Sequence, residues 1–182
     1  MDEQNNQIYN FTKLDNQLFI FLSNNAGKSF TQRDIAKQLN VSPTAIGHCV
    51  KKFSKLKFIQ INQLKTQNLI SLQRDNSLVI RLKRVENLKT LYLSGLIDYL
   101  EEQAPATTII LFGSYAKGED IFNSDIDIAI IGRKSRPLSL NIFEKFTQKQ
   151  INVNFYTSYK MIDKNLKNNI LSGIILYGCV NL

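Results

Sequence analysis

The chain has 182 residues, 43% of them hydrophobic and 10% aromatic, with a formal net charge of +8. That length serves one ordinary domain or two small ones, and the balance is that of a globular protein. No apolar run approaches the roughly 18 residues of a membrane span, and two isolated cysteines with one histidine exclude a zinc cluster or a disulfide framework. Cys49 and Cys179 are expected to be small buried side chains.

The polar, acidic opening MDEQNNQIYNF is no secretory leader, which predicts a cytoplasmic protein. "LFIFLSNN" then reads as a short apolar helix. From Lys28 to Lys65 eight basic residues (Lys28, Arg33, Lys37, Lys51, Lys52, Lys55, Lys57, Lys65) face one acid, Asp34, whereas the rest of the chain is close to balanced. A basic cluster confined to one segment points to a polyanion-binding face.

The same segment predicts two helices and a tight turn. Thr31 caps the first helix, with Ile35, Ala36 and Leu39 on one face, and "NVS" makes the turn. Ser42 caps the second, and Pro43 takes its first position, where a missing N–H costs nothing. Ile46, Val50 and Phe53 form its buried stripe. Thr44, Gly47, His48, Lys51, Lys52 and Lys55 share the opposite face. "FIQINQLKTQNLISLQ" adds two strands around "LKTQN". Residues 15 to 75 thus resemble a helix-turn-helix with the hairpin of a winged helix, which implies duplex DNA as partner. Ser42, Thr44, His48, Lys51, Lys52 and Lys55 are the candidate contacts. The plainer alternative is an interaction module whose lysines are merely solvated.

Apolar residues at 78, 82, 85, 88, 92, 96 and 100 predict a long connecting helix from Ser77 to about Ala104. Leu91, Leu93 and Ile97 widen its stripe, so it packs on both domains or against its twin in a homodimer. "ATTIILF" follows as a buried strand, "GSYAKGED" as a turn opening a helix, and "SDIDIAIIG" as the next strand. Residues two apart on a strand point the same way, about 7 Å apart. Asp125 and Asp127 therefore face one point, where their mutual repulsion calls for a divalent cation, and hard oxygen ligands suit Mg²⁺ or Mn²⁺. Gly113 lets backbone approach a phosphate, Ser114 offers a hydroxyl and an N–H, and Gly118 loosens the turn that follows.

"GSYAKG" followed by "SDID" resembles the DNA-polymerase-beta-like nucleotidyltransferases, most closely their minimal forms, over about residues 84 to 182. The resemblance implies an α+β protein: a winged helix-turn-helix domain at 1–76, the connecting helix at 77–104, and a small mixed-sheet nucleotidyltransferase domain at 105–182. It further implies transfer of a nucleoside monophosphate, commonly AMP from ATP, to a hydroxyl acceptor. Asp125 and Asp127 would carry the metal ions, Gly113 and Ser114 the β- and γ-phosphates, and Lys117 and Gly118 would flank the triphosphate.

The chain departs from the family on the third strand, where a further acid is usual and "INVNFYT" has Asn154. An asparagine can ligate a metal through its carbonyl, but it cannot take a proton from the attacking hydroxyl. Two functions follow. One is an adenylyltransferase, which the resemblance pairs with a HEPN-type toxin. The other is a winged-helix regulator whose second domain senses nucleotide or is degenerate.

Overall fold

The computed structural model describes residues 10–64 and 67–180. It divides into two compact units, Met1–Val79 and Ile80–Leu182.

In the first unit, α1 (Lys13–Asn24) opens on a capping box: Thr12 Oγ1 accepts the Asp15 N–H at 3.1 Å, and Asp15 Oδ2 accepts the Thr12 N–H at 2.9 Å. A two-residue strand, β1 (Phe30–Thr31), leads into α2 (Gln32–Gln38), which Thr31 and Asp34 cap in the same way. Then comes α3 (Pro43–Lys55), where the Ser42 hydroxyl accepts the Ala45 N–H at 3.2 Å and Pro43 stands at the start, as expected. Ile46, Cys49, Val50 and Phe53 are its buried stripe. The hairpin β2 (Ile59–Leu64) and β3 (Gln67–Leu72) follows, and β1 joins it antiparallel in the order β1-β3-β2. Lys65, counted in the basic run, and Thr66 lie outside the described residues.

The core of this unit is aromatic. The Phe11, Phe19, Phe53 and Phe58 rings stand 5.6 to 6.5 Å apart between centroids, a spacing at which edge and tilted contacts add to plain burial. Against expectation only Cys49 of the two cysteines is buried, while Cys179, near the other end of the chain, is exposed. Burial and the neighbouring Asp15 carboxylate push the Cys49 thiol up to about 11, so it is inert packing rather than a nucleophile.

The expected long helix is two. Helix α4 (Ser77–Ser94) stops at Gly95, whose φ of +74° breaks the helical path, and α5 (Leu96–Gln103) resumes from it. The buried positions of α4 are also not those that hydrophobicity picks out. Val79, Lys83, Asn87 and Leu91, spaced four apart, are buried, while Val85, Tyr92 and Leu93 are exposed.

The second unit is built on a mixed four-stranded sheet in the order β6-β5-β4-β7. Strand β4 (Thr108–Phe112) is buried along its length and pairs antiparallel with β5 (Ile126–Ile131) and β7 (Ile174–Tyr177), whereas β6 (Ile151–Tyr156) runs parallel to β5. Such a parallel pair needs a crossover, and residues 132–150 provide it with α7 (Asn141–Thr147). Alternation sorts the strands' side chains. Ile109, Leu111, Ile126, Ile128 and Ile130 join Leu91, Leu96, Ile97 and Leu100 of the helices on one face. Ile110, Phe112, Ala129 and Ile131 meet Tyr159, Ile162 and Ile170 on the other. Ile170 belongs to α8 (Lys164–Leu171), which Asp163 caps. No helix among the described residues is long and apolar enough to cross a membrane.

Candidate functional site

Strand β4 ends at Phe112, directly opposite Asp127 of β5, so the turn that follows is set against that aspartate by strand register. Gly113 and Ser114 open α6 (Gly113–Lys117). Gly113 has φ +77°, and a Cβ built on it would stand 2.7 Å from Asp127 Oδ2. Only glycine satisfies both the backbone angle and that approach. The Gly-Ser turn and the Asp-x-Asp pair, distant in sequence, are thus in direct contact.

Asp125 lies immediately before β5 and is exposed, and Asp127 is half-buried within it. In the parallel register Asp127 stands opposite Asn152, and Ala129 opposite Asn154. The Asn152 amide donates to Asp125 Oδ2 at 3.2 Å and to Asp127 Oδ1 at 3.3 Å. It bridges the two carboxylates, and its own Oδ1 accepts from Gln150 Nε2 at 3.4 Å. Asn154 does not take the position expected of it. It shares the strand face with Asn152 but sits two residues further on, exposed, and the asparagine between the aspartates is Asn152. The expectation that no acid stands there is unaffected, because both residues are asparagine.

Lys117 is exposed at the end of α6, and Gly118 follows with φ +78°. A Cβ on Gly118 would come within 2.3 Å of the Ile80 carbonyl oxygen and 2.9 Å of the Arg84 nitrogen. The glycine therefore lets α6 close against α4, and its role is packing rather than a looser turn.

Behind this site sits a polar cluster that the sequence reading missed. Asp120 is buried and accepts from Lys83 Nζ, and from Asn87 Nδ2 at 2.7 Å. Asn87 Nδ2 also reaches the Tyr115 carbonyl at 2.9 Å. Lys149 Nζ stands 3.3 Å from Asp120 Oδ2, close enough for an ion pair though not aligned as a hydrogen bond. It donates to the carbonyls of Ile121 at 2.7 Å and Ser124 at 3.3 Å. Burial, helped by the Asp120 charge, pushes the Tyr115 phenol well above its ordinary value. The signal available was Lys83 and Asn87 at i, i+4, in line with Val79 and Leu91.

In the first unit Thr44, His48, Lys51 and Lys55 are exposed along one side of α3, and Ser42 is spent on its cap. Lys52 is not part of that outer face. Its ammonium pairs with Asp15 at 2.8 Å, donates to the Asn10 carbonyl at 2.7 Å and lies 5.1 Å from the Phe11 ring centre. The hydrogen bonds from Lys52 and Thr12 outweigh burial, which alone would raise it, and hold the Asp15 carboxyl below its usual value. Gly47 likewise faces α2, where the Gln32 amide lies 2.9 Å from a Cβ built on it.

Residues 93–177 match the family model of the nucleotidyltransferase domain. The match spans α5, the whole four-stranded sheet and every residue of the Gly-Ser and Asp-x-Asp site. The second unit is therefore similar to nucleotidyltransferase domains, which points to nucleotidyl transfer as its chemistry. No curated protein and no solved structure matches the chain.

Proposed function

We propose that the second unit binds a nucleoside triphosphate with a divalent cation and transfers the nucleoside monophosphate, AMP from ATP, to a hydroxyl acceptor. The observation that carries this reading is the contact of Gly113 with Asp127 at the edge where Asp125 and Asn152 converge. The two carboxylates are hard oxygen donors suited to Mg²⁺ or Mn²⁺, while Asn152 turns its amide N–H groups, not its oxygen, toward them. Among the described residues no three His, Cys, Asp or Glu cluster as ligands. The donor set fits an ion that shares its shell with phosphate oxygens and water, the usual manner of Mg²⁺. When bound, such an ion neutralises charge gathering on the leaving pyrophosphate.

The chain's own residues have the following parts. Asp125 and Asp127 hold the cation, the Gly113 and Ser114 backbone cradles the β- and γ-phosphates, and exposed Lys117 offers a charge to the triphosphate. Asn152 orients both carboxylates but takes no proton, so the acceptor hydroxyl is left without a side-chain base from β6. This asparagine favours a second reading, in which nucleotide binds but transfer is slow and the protein works as a regulator.

The order of elements in the first unit supports the winged-helix reading: helix, short strand, two helices about a capped turn, then a hairpin closing on the short strand. Thr44, His48, Lys51 and Lys55 on α3 would face duplex DNA.

Incubating the protein with each labelled NTP, Mg²⁺ or Mn²⁺ and cell extract tests the first reading, since label should pass to a protein or RNA acceptor. A HEPN-type toxin is the acceptor or partner that the family resemblance suggests, and adding one to the same reaction tests it. Nucleotide binding that alters DNA affinity with no label transferred would support the regulator instead.

A further inference from the structure

The segment from Gly118 to Ser124 joins α6 to β5 and delivers the chain to Asp125. It carries no regular structure of its own, yet it is held from two sides. From α4, Lys83 and Asn87 reach Asp120, and Asn87 also ties down the Tyr115 carbonyl of α6. From the start of β6, Lys149 reaches Asp120 and the carbonyls of Ile121 and Ser124, the latter one residue before Asp125. Lys149 lies two residues before β6, three before Asn152, so one buried ammonium is tied both to the entry of β5 and to the entry of β6. The backbone adds a link at that level, from the Ile126 N–H to the Gln150 carbonyl at 2.9 Å.

The side chains of Lys83, Asp120 and Lys149 are 2%, 1% and 6% exposed. Removing two ammonium groups and a carboxylate from water is costly, and apolar side chains of similar size usually stabilise a fold at least as well. What a buried ionic cluster gives that apolar packing does not is directional placement. Here the contacts of Lys83 and Lys149 with Asp120, Ile121 and Ser124 end on the segment between the Gly-Ser helix and the first aspartate, and Asn87 links that segment to the helix itself.

We propose that Lys83, Asn87, Asp120 and Lys149 are positioning residues that fix the Asp125 and Asp127 carboxylates relative to Gly113, Ser114 and Asn152. This rests on the nucleotidyl reading for what the carboxylates hold, but not for the geometry. The cluster sets how tightly the carboxylates bind a divalent ion by setting where they stand, a second task beyond holding the fold together.

The test uses the full chain with Lys149→Met, which leaves Lys83 and Asp120 paired, beside Lys149→Arg. Ile170→Val, a core truncation outside the Lys83–Asp120–Lys149 cluster, controls for lost stability alone. Two quantities are read: Mn²⁺ affinity without nucleotide, and backbone amide exchange. Lys149→Met should bind Mn²⁺ about tenfold more weakly and speed exchange by about tenfold over 119–127, leaving β4 and β7 at wild-type rates. Lys149→Arg should recover part of both, and Ile170→Val should lower the unfolding midpoint with Mn²⁺ affinity within about twofold of wild type. Wild-type Mn²⁺ affinity in folded Lys149→Met, or exchange that rises evenly across the sheet, would overturn the proposal. If the wild type itself takes up no Mn²⁺, the nucleotidyl reading fails, and the exchange pattern alone decides whether the cluster positions the segment.

Discussion

Replacing Asn152 by aspartate changes the sign of the interaction at the centre of the site. The wild-type amide donates to both carboxylates, at 3.2 and 3.3 Å, and hydrogen bonds to charged groups contribute about 1.5–3 kcal/mol when buried and less when exposed. In Asn152→Asp those donors become a third negative charge at similar range. Two unit charges 4 Å apart repel by about 1 kcal/mol in water and about 4 kcal/mol at an effective dielectric near 20. Asp125 is exposed and Asp127 half-buried, so the metal-free variant should be about 2–4 kcal/mol less stable than wild type. A cation bound between three carboxylates reverses this, adding about 2.7 kcal/mol at a hundredfold excess over its Kd. The assay is denaturant unfolding in EDTA and again across a Mg²⁺ or Mn²⁺ titration, with label transfer from ATP measured in parallel. The variant should start below wild type in EDTA and gain more from the metal. It should also transfer nucleotide about a hundredfold faster, the usual contribution of a placed base. Asn154→Asp, exposed and opposite Ala129, should shift stability by under about 0.5 kcal/mol. Equal stability of Asn152→Asp and wild type in EDTA, with no added response to metal, would refute the bridging geometry. A large effect at Asn154 instead would return the third position to that residue.

Replacing Lys51 and Lys55 by alanine should weaken duplex DNA binding for every sequence and flatten the log–log salt slope by about two, while Lys52→Ala should act on stability instead. Asp15 has a lowered carboxyl pKa, so its contribution is present above the ordinary aspartate range and lost as pH falls through the lowered value. Asp15→Asn should cost about 2 kcal/mol at neutral pH and remove that part of the acid sensitivity, followed by circular dichroism from pH 7 to pH 2. Gly113→Ala should cost about 1–2 kcal/mol for the left-handed backbone alone. It should also push Asp127 aside, so a nucleotide-binding titration should register a loss beyond what the unfolding midpoint explains.

Much of the local structure was legible because local chemistry decides it. Thr31, Ser42 and Pro43 mark their helix starts in the sequence as they do in the structure, and the runs "TIILF" and "IDIAII" could be little else than buried strands. Three things were not legible. Strand β6 has asparagine at both 152 and 154, on the same face, and only pairing with β5 tells which one meets the aspartates. Helix α4 buries Lys83 and Asn87, so hydrophobic spacing pointed to a face that is only half-buried, with Val85 and Tyr92 exposed. Lys52 belongs to the basic run by sequence, but a partner 37 residues away, Asp15, turns it inward. In each case the deciding contact is non-local, and periodicity carries no information about it.

The order in which the strands of the second unit are made differs from the order in which they lie. Strand β4 precedes the others in the chain, yet it sits between β5 and β7, and β7 is the last element before the end of the described residues. Until Ile174–Tyr177 has been synthesised, one edge of β4 has no neighbour, and the residues along it, Ile109 to Leu111, are among the most apolar in the protein. An open edge of that kind invites pairing with another chain. Chains cut short before residue 174 should accordingly self-associate as they leave the ribosome, even though they already contain every residue of the Gly-Ser and Asp-x-Asp motifs.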